Sequence, residues 1–179
     1  MVRVIAGGLP DLETKVVFIQ DFLRQGCQDP EVARLAQDIL AEAGPSQVSR
    51  ADPWSVAVTV YRWVRRTIAF ERDPLTGELA DIGGQRLAGP VDLIQNVAAT
   101  LERGRGDCVA LTVLLGSLAC SLGLPVRIGL QDTLGRGIDH VLLLVGLPLP
   151  VPQEWFPLDL TAEEPGTLRP GGPVVMVGV

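Results

Sequence analysis

Residues Leu101–Leu130 read "LERGRGDCVALTVLLGSLACSLGLPVRIGL", and this stretch decides the fold. A Gly/Arg-rich turn leads to Asp107, whose side chain suits a helix N-cap. The run from Val109 to Leu122 is apolar on nearly every side, and Gly123 followed by Pro125 ends it. A helix without a polar face must be covered all round by other elements. Beyond Pro125 the period changes: "LPVRIGLQ" has the β-branched and aliphatic make-up of a strand. The stretch therefore predicts a buried helix that hands the chain over to a sheet.

Downstream, "DTLGRGID" reads as a turn, "HVLLLVGL" as a second strand and "EWFPLDLT" as a third. Three successive strands behind one helix give an antiparallel meander and an α+β layout. The tail from Ala162 is rich in Pro and Gly. It ends in "VVMVGV", an edge strand expected beside an N-terminal strand at Val2–Ala6.

Upstream, three helices are expected. One runs over Asp11–Gln25, with Val16, Ile19, Phe22 and Leu23 on one stripe and Gly26 as its stop. A second opens at Pro30 behind Asp29 and ends before Gly44-Pro45. A third opens at Pro53 behind Asp52. Residues 67–90 read as turn-rich and irregular, and "VDLIQNVAATLERG" as a weak helix ending at Gly104. The expected division is a helical N-terminal region over 1–53, a core over 54–161 and a tail over 162–179, all in one domain.

The 179 residues, 47% of them hydrophobic, suit a globular chain with a proper core, one built on Leu, Val, Ile and Ala because aromatics make up only 4%. A net charge of −6 and no basic stripe exclude nonspecific nucleic-acid binding. No apolar run reaches the 18 or so residues of a membrane helix, and "MVRVIAGGLPDLE" is no secretory leader. Three cysteines cannot all pair with one another. Cys108 and Cys120 on one helix are about 18 Å apart, beyond the reach of a bridge. No disulfide framework is visible, and Cys27 and Cys120 fit as small core hydrophobes, so a reducing, cytoplasmic setting is expected.

Three residues could carry chemistry. Cys108 sits in the first turn of its helix, where the unpaired N–H groups and the helix dipole favour a thiolate. Its own N–H could face a developing oxyanion. The alternative is a core cysteine, the commoner fate of the residue. His140 is the only histidine of the chain and opens an apolar strand, either as a structural residue or as the base of a Cys/His pair. Asp159 interrupts the apolar strand "WFPLDLT", and a buried carboxylate needs a partner or a task. On adjacent antiparallel strands His140 and Asp159 can share a hydrogen bond. If the meander packs on the Cys108 helix, nucleophile, base and orienter meet. Gln95 and Asn96 have the chemistry of oxyanion donors, although polar positions on a weak helix describe them equally well.

Taken together, "GRGDC" opening an apolar helix, then "SLGLPVRIGL", "DHVLLLV" and "EWFPLDLT", resemble the transglutaminase-like superfamily over roughly residues 54–161. Upstream, "YRWVRRTIAFERDP" resembles the segment that often precedes the core in microbial and phage-associated members. The resemblance implies a papain-like α+β core with Cys108 as nucleophile, His140 as general base and acid, and Asp159 as its orienter. It implies a cysteine protease or amidase acting on a protein or peptide through a thioester. The alternatives are a transamidase, or a non-catalytic or latent assembly protein, virion-associated if of phage origin. Leu142 stands where members often carry an aromatic, and Asp159-Leu160-Thr161 replaces their usual D-P-T or D-A-T. Both departures touch the walls of the site.

No cofactor or metal is expected. "GGLP", "DIGGQ" and "RPGGP" lack a phosphate-binding context, and one His with three scattered Cys matches no zinc spacing.

Overall fold

A computed structural model describes the backbone of residues 2–6, 12–46, 48–73, 79–82, 85–88 and 91–179, and the side chains of 12–46, 48–73 and 93–179. The "GGLP" stretch and parts of the 67–90 segment lie outside the described residues.

The architecture is α+β. Helices α1 (Leu12–Gln28), α2 (Pro30–Ala43) and α3 (Pro53–Thr67) precede the central helix α5 (Cys108–Ser121) and pack on it. The expected N-caps are in place: Asp29 Oδ1 accepts from the Glu31 N–H at 2.8 Å and Asp52 Oδ1 from the Trp54 N–H at 3.0 Å. Every residue of α5 from Val109 to Ala119 is buried, as an all-apolar helix requires. The other face of α5 meets strands β7 (Val126–Gln131) and β8 (His140–Leu147).

These strands, with β9 (Glu154–Leu158) and β10 (Val175–Gly178), form an antiparallel sheet in the order β10-β7-β8-β9. Gln131 pairs with His140, and Leu143 with Leu158. Val141, Leu143 and Val145 join the core shared with α5. Leu142 points to the opposite face, where a Cβ on Gly129 would lie 2.9 Å from both Leu142 Cγ and Val174 Cγ1. The tail thus lies close over that face. Covered on both sides, β8 is buried from its first residue to its seventh.

Five expectations need correction. Residues Val91–Gln95 form strand β5, not the start of a helix, and pair antiparallel with β1 (Val2–Ala6). Only Val97–Arg103 is helical, as α4, capped by Asn96. The partner strand lies at the far end of the chain, out of reach of a local periodicity. The 67–90 segment holds a two-residue strand β2 (Ala69–Phe70), parallel to β6 (Arg105–Gly106), and a hairpin of β3 (Leu79–Ile82) with β4 (Gln85–Ala88). The tail does supply an edge strand, but β10 pairs with β7, since β1 is taken by β5. Helix α1 runs through Gly26. This glycine is buried against α5, where a Cβ would fall 2.2 Å from Ser117 Oγ, so packing rather than backbone freedom accounts for it.

The remaining correction concerns the cysteines. Cys27 and Cys120 form a disulfide, with their Cα atoms 5.3 Å apart. Leu23, Gly26 and Cys27 on α1 face Gly116, Ser117 and Cys120 on α5. Gly26, Gly116 and Ser117, the small residues among them, bring the two helices close enough for the bond. Disulfides persist in oxidising surroundings, so cysteine usage no longer argues for a reducing compartment. Among the described residues, no helix is long and apolar enough to cross a membrane.

Candidate active site

Cys108 is the first residue of α5 and the only free cysteine of the three. Asp107 caps the helix, its Oδ1 accepting from the Ala110 N–H at 2.9 Å. His140 opens β8, and Asp159 follows the last residue of β9. The β8–β9 register brings the last two together, with His140 Nε2 and Asp159 Oδ2 2.9 Å apart. Both are buried, at 3% and 1% exposure. Burial alone would raise the Asp159 carboxyl. Hydrogen bonds from the His140 ring and the Thr161 hydroxyl, the His140 charge and the Thr161 N–H outweigh it and hold the carboxyl below its usual range. An ionised carboxylate can only accept, so Nε2 carries the proton and Nδ1 is the nitrogen left over.

Cys108 and Asp159 line one cavity of about 10 Å³, room for about one water. Leu111, Thr112 and Val141 form its walls with them, along with Leu160 and Thr161. The Thr112 hydroxyl donates to the Val141 carbonyl, fastening the N-terminal part of α5 to the residue after His140. The Val141 N–H in turn faces the Cys108 sulfur. The His140–Asp159 pair and Cys108 thus lie in one neighbourhood, where Asp159 shares the cavity with Cys108 and the residue after His140 faces its sulfur.

The state of the thiol departs from expectation. Burial first, and the Asp107 carboxylate second, push the Cys108 thiol up to about 12, against the opposing pull of the Val141 N–H and Lys15. A helix N-terminus favours thiolate, but desolvation of the charged sulfur outweighs it here.

Three supporting residues escaped the sequence reading. Thr161 donates twice to Asp159 Oδ1, from its N–H at 2.9 Å and its hydroxyl at 2.7 Å, and its hydroxyl oxygen lies 3.4 Å from His140 Nε2. A Thr two residues after an acid has the spacing of a local side-chain turn, which was the available signal. Tyr61, the only tyrosine, donates from α3 to the Asp159 carbonyl at 3.2 Å. Arg65 donates to the Tyr61 hydroxyl and to the Glu163 carbonyl. Nothing local marks these last two, because α3 meets the site only in the folded chain.

Gln95 is buried at the end of β5, and its Oε1 has no hydrogen-bond partner among the described residues. Its Nε2 lies 3.7 Å from the position of a Cβ on Gly106, at the end of α5 that bears Cys108. Asn96 points its Oδ1 to the Ala99 N–H and caps α4.

No protein-family model matches the chain, and no curated protein matches it. Solved structures do, two of them as follows. One is described as "a Putative Cysteine Protease from Cytophaga hutchinsonii", with TM-score 0.53 and 15% identity over 99% of this chain and 58% of the other. The second is "a putative protease from Parabacteroides distasonis", with TM-score 0.51 and 12% identity over 89% of this chain and 32% of the other. The chain thus spans 58% and 32% of the lengths of these neighbours. At such identities the likeness shows the fold alone: the chain has an α+β architecture similar to that of these two proteins.

Proposed function

We propose that this chain is a cysteine hydrolase of the transglutaminase-like, papain-folded kind, cleaving amide or peptide bonds in a protein or peptide. The observation that carries the reading is the buried His140–Asp159 pair, 2.9 Å apart, beside a free cysteine at a helix start. His140 Nδ1 takes the proton from Cys108 Sγ, and the sulfur attacks the substrate carbonyl carbon. The oxyanion is met by the Cys108 N–H and by the Gln95 side-chain amide, whose position near Gly106 supports that role. Asn96 is committed to the α4 cap. The imidazolium, stabilised by Asp159, then returns its proton to the leaving amine. Water, deprotonated by the same ring, resolves the thioester; an amine in place of water would make the reaction a transamidation. The chemistry is carried by the 54–161 core within a single 179-residue unit.

The small cavity and the raised thiol favour a second reading, in which the same fold is latent or non-catalytic.

The two readings part on the reactivity of Cys108, the free thiol. Iodoacetamide labelling near neutral pH, followed by peptide mass analysis, should modify Cys108 rapidly in the wild type and at least about tenfold more slowly in His140→Ala, the usual lower range for a lost general base. Slow labelling that ignores the His140→Ala change would overturn the hydrolase reading and leave the non-catalytic one.

A further inference from the structure

We propose that Leu160 is the specificity-determining residue of the site, a side-chain gate whose size selects what reaches Cys108. The proposal deepens the hydrolase reading and rests on it for its meaning, though not for its test.

Of the residues around the cavity, Leu111, Thr112, Val141 and Asp159 are buried, while Cys108, Leu160 and Thr161 are half-buried. The mouth described by the structure is therefore bounded by the last three. A reacting carbonyl must come within about 3–3.5 Å of the sulfur, and a cavity of about 10 Å³ admits no such group. Something at the mouth has to give way.

Thr161 is not free to do so, because its N–H and hydroxyl are both bound to Asp159 Oδ1. The turn itself is held as well. The Asp159 carbonyl accepts from the Ala162 N–H at 3.0 Å and from the Tyr61 hydroxyl at 3.2 Å, and Arg65 fastens Tyr61 to the Glu163 carbonyl. Leu160 sits inside this pinned turn, and its side chain is tied to it by packing alone. Rotation of the Leu160 side chain, which packs at the edge of the core, opens the mouth while Asp159 keeps its bond to His140. The class of substrate follows: a slender electrophile, such as an unbranched amide arm or a glycine-like peptide unit, passes where a branched or aromatic one is refused.

Two thiol reagents of different girth read the gate directly. Both iodoacetamide and N-phenylmaleimide require the thiolate, so the ratio of their second-order rates at Cys108 cancels changes in ionisation and reports access. Wild type should favour iodoacetamide over N-phenylmaleimide more strongly than the free-cysteine reference does. Leu160→Ala should bring the ratio toward that reference by about tenfold, the scale set by small apolar groups in a pocket, and Leu160→Met should retain the preference. Thermal unfolding of each variant checks the fold, and Leu160→Val serves if Leu160→Ala does not fold. An unchanged ratio in a folded, smaller variant overturns the gate. His140→Ala, by contrast, should slow both reagents equally. If it slows neither, the hydrolase reading fails while the gate still stands on its own ratio.

Discussion

Cys108 stands under two opposed influences, a helix start that favours thiolate and burial that disfavours it. Burial wins, pushing the thiol up to about 12. A thiol raised above its unfolded value of about 8.5 stabilises the fold fully below that value, and the contribution is lost as pH rises toward the folded value. Denaturant unfolding of wild type and Cys108→Ala should therefore diverge above about pH 9, wild type losing on the order of 1 kcal/mol more per pH unit. Parallel curves up to pH 11 would show that the sulfur is less buried than its neighbours imply. Asp159 has the opposite sign: its carboxyl is held low by His140 and Thr161, so its contribution fades only in acid. Both candidate roles were legible in the sequence as residue types in order, a cysteine after a cap and an acid in an apolar strand. Thr161 was less so, because its importance lies in two hydrogen bonds rather than in composition.

The contact between α1 and α5 sets where the Cys108 helix lies relative to the sheet. At its centre Gly26 faces Ser117, and a Cβ there would sit 2.2 Å from Oγ and 2.6 Å from Cβ of that serine. Rotation of the hydroxyl cannot relieve the second contact, so one of the helices would have to move. Gly26→Ala should destabilise the protein by about 1–3 kcal/mol, as overpacking of a tight core does. Ser117→Gly in the same chain should restore part of the loss, measured as a coupling in a double-mutant cycle. No coupling would mean that the helices are not seated this closely. The sequence predicts α2, α3, α5 and the three-stranded meander because caps, glycine stops and period changes are local signals. Gly26 as a stop and "VDLIQ" as a helix fail for one reason: each is decided by a partner remote in sequence.

Across the whole molecule, the disulfide ties α1 to α5 over a sequence separation of 93 residues. A cross-link closing so long a loop restricts the unfolded chain strongly. Replacing both Cys27 and Cys120 by Ala should cost about 2–5 kcal/mol. The readout is a fall in Tm, reproduced in the wild type by a reducing agent and absent from the reduced double variant. A wild-type Tm indifferent to reductant would show that the bond contributes nothing to the fold. Since α5 carries Cys108 at its opposite end, loss of the bond should leave His140-dependent labelling intact wherever the protein remains folded.

The sequence by itself determined the α+β class, the buried helix, the order of the meander and the three residue types at the candidate site. These follow from hydrophobic period, capping chemistry and the scarcity of alternatives, with His140 the only histidine. Tertiary structure alone decided the β1–β5 pairing, the course of the tail along β7 and the cysteine partners. It also decided the state of the Cys108 thiol and the turn through which Tyr61 and Arg65 hold Asp159. Each of these depends on groups far apart in the chain, and on burial, which exists only once the chain has closed around itself.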